Sequence, residues 1–156
     1  MSRDPVSIGP GASLYDALVL LRTADVTGLP VVDRAGTVIG ILSQTDLARV
    51  LAVPGTVPST KGLLDVLTVG LRDLPEASLA KRRETLEETT VEAAMSRPPI
   101  VVAPAAPLEL AIEAMEESGI HRLPVVDAGR LVGIVTPTDL IAAALTGTRT
   151  GSALAG

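Results

Sequence analysis

Gly119-Ile120-His121-Arg122-Leu123-Pro124-Val125-Val126-Asp127-Ala128-Gly129-Arg130-Leu131-Val132-Gly133-Ile134-Val135-Thr136-Pro137-Thr138-Asp139-Leu140 decides the fold, because an earlier copy of it runs from Asp25 to Leu47. Residues 1–34 lie over 95–128 and, with Ala35 skipped, 36–47 lie over 129–140, giving 46 aligned pairs of which 19 are identical. The chain is a tandem repeat. In each copy Leu-Pro-Val-Val-Asp, at 29–33 and 123–127, is a β-branched run closed by Asp and a nearby Gly, the signature of a strand entering a tight turn. Val38 to Leu42 and Leu131 to Val135 follow as second strands, so each copy carries a hairpin. The strands stop at Ser43-Gln44-Thr45-Asp46 and Thr136-Pro137-Thr138-Asp139. Both read as helix starts, with a hydroxyl at the cap, Pro tolerated at the first helical position and Asp three residues after the cap, facing free backbone N–H groups.

Working outward, Val6 to Ile8 and Ile100 to Val102 are short strand candidates. Ser13 caps a helix through about Ala24, with Leu14, Ala17, Leu18 and Leu21 recurring at helical spacing. Its counterpart runs from Pro107 to Ser118 with Leu108, Ala111, Ile112 and Met115 inward, and Gly119 supplies a left-handed stop. A second helix runs from Gln44 to about Ala52, or from Pro137 to Leu145. Each repeat is therefore β-α-β-β-α, an α/β (α+β) arrangement, and one copy alone would leave an apolar sheet face bare, so the two are expected to pack as a pseudo-two-fold pair. The second copy has a short helical lead-in, Thr90 to Ala94, that the first lacks.

Between the repeats the sequence predicts an amphipathic helix from Leu63 to Leu74 and a charged one from Ser78 to Glu88. The charged helix reads as a solvated spacer or as a surface for a partner or a dimer. Gly55 to Gly62 lacks the Gly before Lys61 that a phosphate-binding loop needs, since Thr60 stands there. The tail from Thr146 is small, polar and Gly-rich, and disorder is expected there.

Composition narrows the function. Hydrophobic residues make up 47% of the 156-residue chain, yet Tyr15 is the one aromatic, so the core must be built from Val, Leu, Ile and Ala. No apolar run approaches the roughly 20 residues of a membrane span, and a cytoplasmic protein without membrane attachment is expected. The absence of cysteine removes thiolate nucleophiles and Cys-based zinc sites. A net charge of −5 and the lack of stacking aromatics argue against nucleic acid and for a small ligand or a protein partner. His121, the single histidine, has no partner set for catalysis or for a metal, which leaves a plain loop imidazole or a phosphate contact.

The doubled Leu-Pro-Val-Val-Asp, the doubled Gly-Ile-h-(Ser/Thr)-x-x-Asp (h apolar) and Met95-Ser96-Arg97 before a first strand resemble the tandem CBS-domain pair, the Bateman module. The resemblance implies a first CBS repeat at 1–52, an inter-repeat linker with helices at 53–89, a second repeat at 90–146 and a tail at 147–156. It implies a non-enzymatic regulatory module with no obligatory cofactor, whose clefts take AMP, ADP, ATP or S-adenosylmethionine, the motif Asp accepting hydrogen bonds from the ribose hydroxyls. Carried over residue by residue, one site combines Ile41, Ser43, Thr45 and Asp46 with Ile100, Ile120, His121 and Arg122. The other combines Ile134, Thr136, Thr138 and Asp139 with Val6, Val26 and Thr27. Thr27-Gly28 stands where the second repeat has His121-Arg122, so the Asp139 site lacks a phosphate cation. A hydroxyl cannot replace the bidentate guanidinium, and the Asp46 site is favoured for a phosphorylated ligand. The resemblance also implies a homodimer and an effector protein or domain of unknown identity. The alternative reading is a ligand-free dimerisation or protein-docking module.

Overall fold

In the computed structural model, residues 5–51 and 75–146 are described. The expected helix at Leu63 to Leu74, the Gly55 to Gly62 segment and the tail beyond Thr146 lie outside them. The elements run α1 (Leu14–Thr23), β1 (Gly28–Val32), β2 (Val38–Ser43), α2 (Gln44–Leu51), α3 (Glu76–Glu88), α4 (Val91–Ala94), α5 (Leu108–Ser118), β3 (Leu123–Asp127), β4 (Arg130–Val135) and α6 (Pro137–Leu145). The two hairpins form separate two-stranded sheets, β1-β2 and β3-β4. The strands expected at 6–8 and 100–102 shrink to single parallel bridges, Ile8 to Val31 and Val102 to Val125. Ile8 and Val102 each donate a backbone N–H to a Pro carbonyl, that of Pro30 and of Pro124, at 3.0 Å. One bridge per repeat is all that the Pro-flanked segments build there.

Local chemistry accounts for the boundaries. Ser13 caps α1 by accepting the Asp16 N–H at 3.1 Å, and Gly119 ends α5 in the left-handed region at φ 64°. Asp25, its equivalent after α1, is also left-handed at φ 51°, a conformation that Asp tolerates better than most residues. The hairpins differ at their turns. Ala128 and Gly129 are both at positive φ between Asp127 and Arg130, a two-residue turn whose twist matches the strands. The first hairpin, one residue longer, closes instead on Asp33, whose Oδ1 accepts the N–H groups of Ala35 and Thr37, each at 2.9 Å. Ala35, the residue skipped in the alignment, is the addition that this Asp-centred turn accommodates.

Contacts divide the chain into two compact units that cut across the repeats: Met1–Val6, Val32–Ile39 and Pro98–Gly156 in one, Ser7–Val31 and Gly40–Arg97 in the other. In the first, the Asp139 unit, Val102, Ala111, Met115, Leu123, Val125, Val135 and Leu140 form the core. The β3-β4 register shifts between Val125 and Val126, which leaves Val132 as an extra residue on β4, and Val132 packs against that core. The tip of the first hairpin joins this unit by an antiparallel bridge from Thr37 to Arg130, with the Val38 N–H donating to the Gly129 carbonyl at 3.2 Å.

In the other, the Asp46 unit, Leu14, Ala17 and Leu21 of α1 and Leu42 and Leu47 around the β2-α2 junction are fully or nearly fully buried. β2 buries Val38, Gly40 and Leu42 in strict alternation. Gly40 sits in close packing: a Cβ there would come to 2.5 Å from the Met95 sulfur and 3.1 Å from the Ser96 carbonyl oxygen, so the Met95 side chain would have to shift.

Two sequence expectations need correction. The charged helix, observed as α3, is not a solvated spacer: Leu86 is buried, Arg82 donates to the Leu51 carbonyl, and the Leu14 N–H donates to the Thr89 carbonyl at 2.9 Å. Ser78, Leu79, Arg82, Thr85 and Leu86 fall on one face, a stripe too polar to announce itself in sequence. Ile112, expected inward, is 37% exposed, whereas its counterpart Leu18 is half-buried on α1, the helix against which α3 packs.

Candidate functional site

Each repeat presents a carboxylate at a helix start, and the backbone explains why it is there. Ser43 ends β2 in extended conformation and Gln44 opens α2, so the first N–H groups of the helix have no intrahelical acceptor. The Ser43 hydroxyl oxygen supplies one, accepting the Asp46 N–H at 3.3 Å, and Asp46, only 2% exposed, answers toward the strand: its Oδ2 accepts the Ser43 N–H at 2.8 Å and the Ser43 hydroxyl at 2.7 Å. Its Oδ1 accepts Arg49 Nη1 at 2.9 Å and the Ser96 hydroxyl at 3.1 Å. The carboxylate is therefore buried and fully engaged, which a helix N-terminus makes electrostatically favourable. Among the described residues every buried side-chain nitrogen or oxygen has a hydrogen-bond partner.

The second repeat reproduces the cap with Thr for Ser. Thr136 N–H and hydroxyl both donate to Asp139 Oδ2 at 2.8 Å, and Pro137 occupies the first helical position. Burial acts to raise the Asp139 pKa, but hydrogen bonds to the carboxylate, those from Thr136 among them, outweigh it and hold the group below its ordinary value. Asp139 is more open than Asp46, being half-buried.

The residues read from sequence as one favoured set are distributed over both units. Ile41, Ser43, Thr45 and Asp46 are in the Asp46 unit, with Ile41, Ser43 and Thr45 half-buried around the helix start. Ile100, Ile120, His121 and Arg122 are in the Asp139 unit. There Ile120 packs against the core, Ile100 and His121 are exposed, and Arg122 is half-buried just ahead of β3. Among the described residues neither His121 nor Arg122 forms a salt bridge. Of the second set, Val6, Ile134, Thr136, Thr138 and Asp139 belong to the Asp139 unit and Val26 and Thr27 to the other. Val6 and Thr138 are exposed, Ile134 and Val26 are buried, and the Thr27 carbonyl accepts the Gln44 N–H at 3.1 Å.

Sequence reasoning missed Ser96 and Arg49. Ser96 was visible as part of the repeated Met-Ser-Arg, but the pairing that brings it to Asp46 is tertiary: Ile41 and Ser96 exchange backbone hydrogen bonds of 3.2 and 2.9 Å. Arg49 was visible only as a cation three residues along the helix. No group of three or more metal-ligating side chains occurs among the described residues, and no helix among them is long and apolar enough to cross a membrane.

Two small α/β repeats, each carrying a hairpin that runs into a hydroxyl-and-Asp helix cap, define a tandem-repeat class. The CBS domain family matches residues 1–53 and 91–146, and the chain belongs to it. An uncharacterized protein of Methanocaldococcus jannaschii is 32% identical over 148 residues, covering 90% of this chain and 86% of that one. The chloroplastic CBS domain-containing protein CBSX2 of Arabidopsis thaliana is 34% identical over 139 residues, covering 88% of this chain but 58% of the relative. The crystal structure of CBSX2 superimposes with a TM-score of 0.71 at 32% identity, covering 96% of this chain and 94% of that one. A second CBSX2 structure, in complex with AMP, gives a TM-score of 0.63 at 32% identity over 94% of this chain and 91% of that one.

Proposed function

We propose that the chain is a non-enzymatic regulatory module that binds an adenosine-containing ligand, with AMP the first candidate, and passes on the ligand's presence through a change in packing. The observation that carries this is the doubled helix-start carboxylate, Asp46 and Asp139, each aligned on its cap by a hydroxyl at 2.7 to 2.8 Å. A carboxylate so fixed is oriented to accept from a ribose diol. The complex of CBSX2 with AMP supports the ligand class. Asp46 is the ribose acceptor of the favoured site, Ser43 and Thr45 flank it, and Ile41, Ile100 and Ile120 offer the apolar surface that adenine needs in a chain with one aromatic. Arg122 and His121 are the phosphate contacts. For the second site, with Val6, Val26, Thr27, Ile134, Thr136, Thr138 and Asp139, an uncharged nucleoside-like ligand fits better. The signal requires that the ligand bind two arrangements with different affinity.

Isothermal titration of AMP, ADP, ATP and S-adenosylmethionine into the purified protein tests this, with Asp46→Ala and Arg122→Ala alongside. Micromolar binding of one ligand that weakens at least tenfold in each variant is the expected result. Unchanged affinity in both folded variants would remove the site assignment. A second reading, a ligand-free dimerisation or docking module, draws on the exposed Leu110, Ile112, Ile141 and Leu145 of α5 and α6. The absence of any heat or thermal shift across the ligand panel would favour it.

A further inference from the structure

The four hydrogen bonds to Asp46 divide by oxygen. Those on Oδ2 come from Ser43 and belong to the helix cap, and they recur at Asp139 from Thr136. Those on Oδ1, from Arg49 at 2.9 Å and Ser96 at 3.1 Å, are not part of the cap. The repeat alignment puts Ala142 at the position of Arg49, so no guanidinium can reach Asp139 from there. A carboxylate has about four lone-pair positions, and all of those on Asp46 are engaged. A vicinal diol that donates to Asp46 must therefore replace a donor already present.

The two donors on Oδ1 are not equally replaceable. Ser96 is held by its paired backbone hydrogen bonds to Ile41. The side chain of Arg49 is 69% exposed, so its guanidinium can return to water with little loss of solvation. We infer that Arg49 is a built-in competitor for the ligand's diol: its guanidinium occupies Asp46 Oδ1 when the site is empty and must leave when a cis-diol ligand binds. This rests on the reading of Asp46 as the ribose acceptor. It makes Arg49 a residue that sets the affinity threshold of the Asp46 site.

The test is titration of adenosine into the full chain and its Arg49→Ala variant at low and high sodium chloride. Adenosine is chosen because it has no phosphate for Arg49 to attract. Arg49→Ala should bind adenosine about two- to fivefold more tightly, the range that removal of a weak, solvent-facing ion pair corresponds to. Wild-type affinity for this uncharged ligand should rise with salt as the ion pair is screened, and that trend should vanish in the variant. Equal or weaker adenosine binding by folded Arg49→Ala, with a salt-insensitive wild type, overturns the competitor role. If Arg49→Ala does not fold, the wild-type salt series decides alone. Should Asp46→Asn abolish AMP binding while Arg49→Ala leaves adenosine affinity unchanged, the competitor role falls and the ribose reading stands. If neither adenosine nor AMP binds the wild type, both fall together.

Discussion

The two motif carboxylates do the same job in different surroundings, and Asp139 is the one whose contribution acid should reveal. Asp139 is held below its ordinary pKa of 3.8, with burial opposing and hydrogen bonding prevailing. A group with a depressed folded-state pKa contributes stability that is present above its unfolded value and is lost as pH falls through the folded one. The Asp139 contribution is therefore constant near neutrality and disappears below about pH 4. Asp139→Asn should flatten that acid limb and leave the neutral plateau lowered by a uniform amount, as urea unfolding from pH 2.5 to 7 would report; parallel curves for variant and wild type would refute it. Sequence made both Asp residues legible, because capping is local chemistry written within four residues. It left Ser96 and Arg49 illegible for opposite reasons. The partner of Ser96 is fifty positions away, and Arg49 has an ordinary reading as a cation in the last turn of α2.

At the scale of elements, the hairpins and the four repeat helices were readable because apolar periodicity, turn residues and caps all agree there. α3 was not, since its buried face carries Ser78, Arg82 and Thr85 beside Leu79 and Leu86. Its placement is decided by what it touches: α1 through Leu14 and Tyr15, over whose ring the Arg83 guanidinium sits at 5.3 Å, and the end of α2 through Leu51. A spacer helix would tolerate truncation of its one buried leucine. An integral one would not, and Leu86→Ala should cost about 2–4 kcal/mol in chemical denaturation. A change below about 0.5 kcal/mol, the range of surface substitutions, would return α3 to the role of spacer. The same element explains why periodicity placed Leu18 and Ile112 alike while the structure does not. One repeat has α3 packed on its first helix, and the corresponding helix of the other leaves Ile112 facing outward.

At the scale of the whole molecule, α5 and α6 expose Leu110, Ile112, Ile141 and Leu145, the last two at 61% and 81%. Scattered apolar side chains on a surface are ordinary, but four on two neighbouring helices suit the homodimer proposed for this module. The double substitution Ile141→Asp, Leu145→Asp should convert a dimer to a monomer by light scattering at micromolar concentration, with the unfolding midpoint of the isolated chain little changed. A dimeric variant would place the contact elsewhere. The repeat itself was plain from sequence, but the boundary between units was not. Repeats are read along the chain, whereas the units follow contacts, and the Asp33 turn carries Val32–Ile39 across to the other unit.

That crossing bears on how the protein reaches its folded state. Thr37 and Arg130 pair through backbone groups from opposite halves of the chain, so the ladder they form cannot close until the second repeat has been made and most of the intervening chain has been drawn in. Loop-closure entropy must be met before that contact contributes anything, and non-local strand pairing of this kind slows folding. During synthesis the first hairpin emerges with its tip unpaired, an open strand edge waiting for Gly129 and Arg130. The tip of the first hairpin is consequently a piece of the first repeat that completes its pairing only once the second repeat has been made.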